Sequence, residues 1–146
     1  MPDISSDPEI VAAYDDVRKD KSATNWLIVK YAAATGDAMK LDSTGEGDII
    51  EMAEHLGDDE AAYAYIRQKL GNDEYSERIK FVFVIWAGSQ TKVMRRAKMS
   101  LHSGDVKKVI KQYAIEIQTA DKKDLATDHV VLKLRKAMGA NCHFSS

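Results

Sequence analysis

The sequence predicts a single α/β (α+β) domain that spans residues 1–146. Its sheet is expected to be mixed and largely antiparallel, with about five strands and with helices on both faces. Apolar periodicity gives the element order α-β-β-α-β-β-α-α-β-α, and hairpin-length connections join the paired strands. Residues 81–86 (FVFVIW) are apolar without a break, which is typical of a strand covered on both faces. The length suits one domain, and no linker or repeat divides the chain.

The first part of the chain supplies a helix and a hairpin. Asp7, Pro8 and Glu9 are typical of a helix start, because a capping carboxylate and an acid suit the positive end of a helix and proline suits its first turn. Residues 26–31 (WLIVKY) and a weaker run at 38–41 predict two paired strands.

The middle of the chain leaves one element open. Asp48 is a candidate cap for a second helix that is expected to end at Gly57. Residues 61–70 fit a helix because of their alanines, but they also fit a strand, and periodicity alone does not decide. Residues 71–73 (GND) predict a turn into the buried strand.

A basic helix follows the buried strand. Residues 92–101 place Val93, Ala97 and Leu101 four apart, which predicts one apolar stripe and a dense positive face around it. Residues 103–105 (SGD) then predict the cap of a separate short helix. We expect function at the junction between the buried strand and the basic helix.

The last part of the chain supplies an edge strand and a closing helix. Residues 114–119 alternate in polarity, which favours an edge strand. The last helix is expected to open at Asp121 and to end at Gly139. Its apolar side is formed by Val130, Leu134 and Met138. The core is therefore expected at residues 7–139, with a loose tail at 140–146.

The net charge of −2 conceals a strong segregation of charge along the chain. Residues 1–74 carry 17 acidic and 7 basic side chains, whereas residues 78–112 carry nine basic side chains against Asp105 alone. This pattern suits a negative partner, which could be nucleic acid, anionic lipid or an acidic protein. Because no aromatic residue lies at 92–111 to stack on bases, a protein or lipid is favoured over nucleic acid.

The residue pattern offers no catalytic constellation, no metal-ligand motif and no cofactor loop, so we expect a protein that is not an enzyme. The four histidines are scattered and are expected at the surface or at helix ends; they are His55, His102, His129 and His143. A single cysteine, Cys142, excludes an internal disulfide. The sequence has neither a long apolar run nor a signal peptide, which makes the cytoplasm the expected location.

Motifs spread over residues 8–141 resemble the actin-depolymerising factor homology domain of the ADF/cofilin family. They are KFVFVIW at 80–86, RAK at 96–98 and DVKKV at 105–109. Four further segments are similar to the coactosin branch of that family, namely AAYDDVR at 12–18, WLIVKY at 26–31, DKKDL at 121–125 and KAMGAN at 136–141. The resemblance implies a central mixed sheet between helices, in which residues 61–70 form a strand.

The resemblance also implies a function. Coactosins are non-enzymatic, bind the side of filamentous actin, and stabilise filaments or oppose their capping without severing them. The implied partner is therefore filamentous actin, and the implied protein is a monomer associated with the cytoskeleton. Two alternatives stay open: a cofilin-like module that binds monomeric actin and depolymerises filaments, and a phosphoinositide-binding protein that uses the basic helix.

Three groups of residues match the actin-binding positions of the family. Lys80, near Arg78, matches the filament-contacting lysine at the start of the central strand. Residues 91–98 match the half-helix that sits in a cleft of actin, and Met94 matches the apolar residue inserted there. The basic end of the last helix matches Arg135 and Lys136. The complete set of expected contacts is Arg78, Lys80, Lys92, Met94, Arg95, Arg96, Lys98, Arg135 and Lys136.

The chain departs from cofilin at two places. Thr91 and Val93 stand where cofilin carries two lysines ahead of the methionine, which argues against tight monomer binding and severing. Pro2 and Asp3 occupy the place of the regulatory serine, so regulation by phosphorylation is not expected there. The acidic surface of actin would attract the basic segment, less strongly as salt increases.

Overall fold

The computed structural model describes residues 7–33, 35–73 and 76–145, and it describes their side chains except at 71–73, 76–78 and 138–145. The strands are β1 (Trp26–Tyr31), β2 (Met39–Gly45), β3 (Ala61–Asp73), β4 (Ser76–Ala87) and β5 (Ile115–Thr119). They form one sheet in the order β2-β1-β3-β4-β5, in which only β4 and β5 run parallel. The predicted mixed sheet is confirmed, and residues 61–70 are a strand.

Helices cover both faces of the sheet, as predicted. They are α1 (Pro8–Arg18), α2 (Ile49–Glu54), α3 (Val93–Val109) and α4 (Thr127–Ser145), with a short 3-10 helix at Lys122–Leu125. Side chains of α1 and α3 share one core with Phe83 and Ile85 of β4. Side chains of α2 and α4 share the other core with Val82, Val84 and Trp86 of the same strand. Successive residues of β4 therefore enter opposite cores, which confirms the predicted burial on both faces.

The predicted helix caps are confirmed at α1 and α2. The carboxylate of Asp7 accepts hydrogen bonds from the backbone N–H groups of Glu9, at 2.9 Å, and Ile10, at 3.4 Å. Asp48 accepts from the N–H groups of Ile50 and Glu51, both at 3.1 Å. Each side chain satisfies donors that the first helical turn leaves unpaired.

The two helices predicted at 92–101 and after 103–105 are one continuous helix, α3, so the predicted break is wrong. Its buried residues are Met99, His102, Val106 and Val109. This stripe, spaced by three and four residues, passes across Gly104 without interruption, and packing against the sheet outweighs the modest cost of one glycine in a helix. The stripe predicted from Val93, Ala97 and Leu101 lies instead on the opposite, exposed side.

Three predicted boundaries are also wrong. β3 continues through residues 71–73: Asn72 and Asp73 pair with β4 beyond an irregularity of register, which the preceding glycine accommodates well. Asp121 caps the 3-10 helix, where it accepts a hydrogen bond from Lys123 N at 2.9 Å, and α4 begins later, at Thr127. α4 also continues past Gly139, because no proline follows to stop it.

The packing of α4 can be tested with two leucines on one helix. Leu134 is fully buried, whereas Leu132 is 53% exposed. We expect Leu134→Ala to lower the free energy of unfolding by about 2–5 kcal/mol, because it leaves a cavity. Leu132→Ala should change it by about 0.5 kcal/mol or less. Denaturant unfolding measures both, and equal losses would contradict this packing.

Candidate functional site

The junction between β4 and α3 is fixed to the loop at residues 58–60. A Cβ atom on Gly88 would lie 2.1 Å from the carbonyl oxygen of Asp58, so only glycine fits there. The Gly88 N–H donates to the Glu60 carbonyl at 3.0 Å, and the Thr91 hydroxyl donates to the same oxygen at 3.1 Å. Gln90 N–H donates to Asp58 O at 2.7 Å. The first turn of α3 therefore starts from a constrained position.

An apolar surface on α3 faces solvent. Val93 is 79% exposed, Met94 72% and Leu101 68%, and Ala97 is exposed between them. We call these four residues the outer face of α3; their spacing places them on one side of the helix. Isolated exposed apolar residues need no explanation, but a contiguous group on a rigid helix is typical of a binding surface.

Two of the predicted basic residues border the outer face. Lys92 is exposed at the N-cap of α3, where its side chain makes no capping hydrogen bond. Arg96 is also exposed, and one nitrogen of its guanidinium donates to Gly88 O at 2.9 Å. Both charges are therefore available to a partner, and Met94 lies between them in the sequence.

Arg95 lies on the opposite flank of α3 and is half-buried. Its guanidinium lies over the ring of Tyr31, 3.9 Å from the ring centroid. Its nitrogens donate to the carbonyl oxygens of Gly36, at 2.8 Å, and Ala33, at 3.2 Å. Gly36 has a φ of 92°, in the left-handed region that favours glycine. Arg95 thus connects α3 to the loop between β1 and β2.

Lys98 and His102 bind the same loop. The Lys98 ammonium lies 3.1 Å from Asp37 Oδ1, and His102 Nε2 lies 3.8 Å from Asp37 Oδ2. His102 Nδ1 is 2.8 Å from the hydroxyl of Tyr31. The Lys98 hydrogen bond holds the pKa of the Asp37 carboxyl below its usual value. We call Tyr31, Asp37, Arg95, Lys98 and His102 the loop latch.

The loop latch was missed at the level of sequence. His102 was expected at the surface or at a helix end, but it is only 2% exposed, so that expectation is wrong for this histidine. His55 and His129 are exposed, and His143 lies outside the described side chains. The available signal was the spacing of Arg95, Lys98 and His102, which puts three polar residues on one side of a helix.

Three of the remaining predicted residues lie on the α4 side of the sheet, and we call them the second basic group: Lys80, Arg135 and Lys136. Lys80 is half-buried near the start of β4, and its register with Gln68 keeps it on the same face as Val82, which packs with α4. Arg135 and Lys136 are exposed on α4. Arg78 belongs to β4, but its side chain lies outside the described ones. Lys80 lies seven residues before Ala87, where β4 ends ahead of α3, and this length of strand spans roughly 23 Å.

Neither a metal site nor a membrane span is found among the described residues. Among them, no three His, Cys, Asp or Glu side chains are arranged so that they could hold a metal ion. In the same part of the chain, none of the helices combines the length and apolar character needed to cross a bilayer.

The ion pair between Lys98 and Asp37 predicts a specific titration. We expect the Asp37 carboxyl to titrate below its usual pKa of 3.8. Because the pKa is lowered in the folded state, the contact stabilises the protein above the unfolded-state pKa, and this contribution is lost as pH falls through the folded-state pKa. Carboxyl ¹³C NMR measures the midpoint, which Lys98→Gln should raise.

Lys108 provides the matched control, since it lies on the same helix but pairs with Asp105 at 3.3 Å. Lys108→Gln should leave the Asp37 midpoint unchanged. A midpoint that does not move in Lys98→Gln would contradict this account of the loop latch.

Comparison with known proteins identifies relatives along nearly the whole chain. The family described as cofilin/tropomyosin-type actin-binding protein matches residues 3–135. Coactosin of Dictyostelium discoideum is 37% identical over 97% of this chain and 94% of its own length.

Solved structures agree with this match. Crystal structures of human coactosin-like protein superpose with a TM-score of 0.81 at 29% identity, covering 92% of this chain and 97% of that one. The solution structure of mouse coactosin, an actin filament binding protein, gives a TM-score of 0.75 at 31% identity, covering 99% and 96%. The resemblance found in the sequence is confirmed, and the chain belongs to the cofilin/tropomyosin-type family of actin-binding proteins.

Proposed function

We propose that this protein binds the side of actin filaments and stabilises them or opposes their capping, without severing them. It acts as a non-enzymatic component of the cytoskeleton. The observation that carries the proposal is the outer face of α3, where Val93, Met94 and Leu101 are 79%, 72% and 68% exposed. The description of mouse coactosin, at 31% identity, as an actin filament binding protein supports the same partner.

The chemistry of the outer face suits an acidic protein with an apolar cleft. Met94 is long and flexible and can enter an apolar pocket, while Lys92 and Arg96 beside it attract carboxylates at the rim. Apolar anchors at the centre of an interface supply most of its affinity, whereas charges at the rim mainly raise the association rate and its dependence on salt.

The second basic group supports a filament rather than a monomer as the ligand. Lys80, Arg135 and Lys136 lie on the α4 side of the sheet, away from the outer face of α3. A ligand that contacts both groups must extend around one end of the domain. Two neighbouring subunits of a polymer provide such a surface more readily than one monomer does.

Thr91 supports the absence of cofilin-like severing. It is 8% exposed, and its hydroxyl donates to Glu60 O at 3.1 Å. At this position the chain therefore offers a partner neither a charge nor an accessible polar group, which fits the departure from the cofilin pattern expected there from the sequence.

The outer face can be tested with actin co-sedimentation. We expect Met94→Ser to weaken binding to filaments about 30-fold, because truncation of a central apolar anchor costs about 2 kcal/mol. Ile50→Ser is the matched control, since Ile50 is 47% exposed on α2, a helix that carries none of the proposed contacts. Wild-type affinity in Met94→Ser, or equal losses in both variants, would contradict the proposal.

The second basic group can be tested by comparing filaments with monomers. Lys80→Glu should weaken binding to filaments several-fold or more and leave binding to monomers unchanged. The reason is that the Lys80 charge faces actin at the rim of the interface only in the filament complex. Lys40→Glu, an exposed lysine on β2, is the control.

The same samples test the alternative, in which the protein binds actin monomers and depolymerises filaments. Filament lengths observed by microscopy should not fall after addition of the wild-type protein. Tighter binding to monomers than to filaments, or shortened filaments, would favour the depolymerising function, which the exposure of Met94 also permits.

A further inference from the structure

The first two turns of α3 are not held by hydrophobic packing. The buried residues of this helix begin at Met99, and none of residues 93–98 is buried. These are the turns that carry Val93 and Met94, so the proposed contact surface lies on the least packed part of α3.

The start of α3 also lacks the usual stabilising features of a helix N-terminus. Lys92 occupies the N-cap without a side-chain hydrogen bond, and the first turn contains no acidic residue. A lysine at the positive end of the helix dipole is unfavourable, and a helix end without a cap tends to fray. Something else must hold these turns if they are to present a defined surface.

The loop latch supplies that attachment. Arg95 and Lys98 are one turn apart on the inner flank, and both bind the loop between β1 and β2. His102, the next latch residue along the helix, contacts the hydroxyl of Tyr31 at the end of β1. Because His102 is also one of the buried residues of α3, it connects the polar contacts to the packed part of the helix. The loop latch therefore continues the packed side of α3 toward its N-terminus with polar contacts.

Arg95 has the central place in the latch because its contacts need a planar, multidentate cation. Its guanidinium stacks on Tyr31 and donates to two carbonyl oxygens, those of Gly36 and Ala33. A lysine keeps the charge but cannot reproduce the stacked, forked geometry. These contacts direct the guanidinium toward the protein's own loop.

We propose that Arg95 is a positioning residue for actin binding, which acts by holding the first two turns of α3 helical and in place through the loop latch. This inference rests on the proposed function. Lys92 and Arg96 then supply the charges that meet the partner, whereas Arg95 and Lys98 are occupied within the protein. From the sequence, Arg95 is expected to contact actin directly; the role proposed here is instead to hold the helix that makes the contact.

The substitution Arg95→Lys tests the proposal because it keeps the charge and removes the geometry. Hydrogen exchange measures the first effect without actin. We expect the amides of Arg96 and Ala97 to lose nearly all of their protection from exchange, since two hydrogen bonds to the loop are lost and the first two turns are then open in most molecules of the variant. The amides of Val106 and Val109, in the packed part of α3, should be unchanged, as should the overall fold by circular dichroism.

Binding to filaments measures the second effect. Arg95→Lys should bind about five- to tenfold more weakly, since the bound conformation of the first turns is less populated, with the same dependence of affinity on salt as wild type. Lys92→Gln is the matched contact control. It should reduce the salt dependence without speeding exchange at Ala97, because it removes an unfavourable charge from the helix start.

Each result decides the proposal. Unchanged exchange in Arg95→Lys, or faster exchange with wild-type affinity, would overturn the positioning role. If the affinity of Arg95→Gln for filaments depends less on salt while hydrogen exchange is unchanged, Arg95 contacts actin directly and the positioning role is overturned. If wild type itself does not bind filaments, the proposed function fails and the positioning role with it, while the exchange data still decide whether the latch holds the helix.

Discussion

Strand β4 carries large apolar side chains on both faces, and the two cores of the molecule close on it. Phe83 packs with α1 and α3, and Trp86, three residues later, packs with α2 and donates its indole N–H to Gly57 O at 2.8 Å. The strand cannot shift by one residue without moving every side chain into the wrong core. Since α3 begins shortly after β4, the burial of this strand fixes where the outer face of α3 is presented.

The helix α3 combines two kinds of attachment. Its later turns are packed by Met99 and Val106, whereas its first turns rely on polar contacts to a loop. An exposed apolar face on a loosely packed helix start adds little to the stability of the fold. Its presence beside Lys92 and Arg96 is explained if a partner covers it, and membership of an actin-binding family identifies the kind of partner.

Much of the fold could be predicted from local patterns, but the orientation of α3 could not. The run at 81–86 and the caps at Asp7 and Asp48 depend on neighbouring residues, and they were predicted correctly. In α3, both the exposed and the buried stripes have helical spacing, so periodicity could not tell which one meets the sheet. The spacing of Arg95, Lys98 and His102 indicates a polar side of α3, but the loop that this side binds could not be predicted, because Asp37 and Lys98 are 61 residues apart.

Electron cryo-microscopy of actin filaments decorated with this protein would locate both proposed binding surfaces in one experiment. We expect the outer face of α3, with Met94 at its centre, to contact one actin subunit, while Lys80 and the basic part of α4 face a neighbouring subunit. Arg95 should remain over Tyr31 in the complex. A decorated filament in which the outer face of α3 points to solvent would contradict the account.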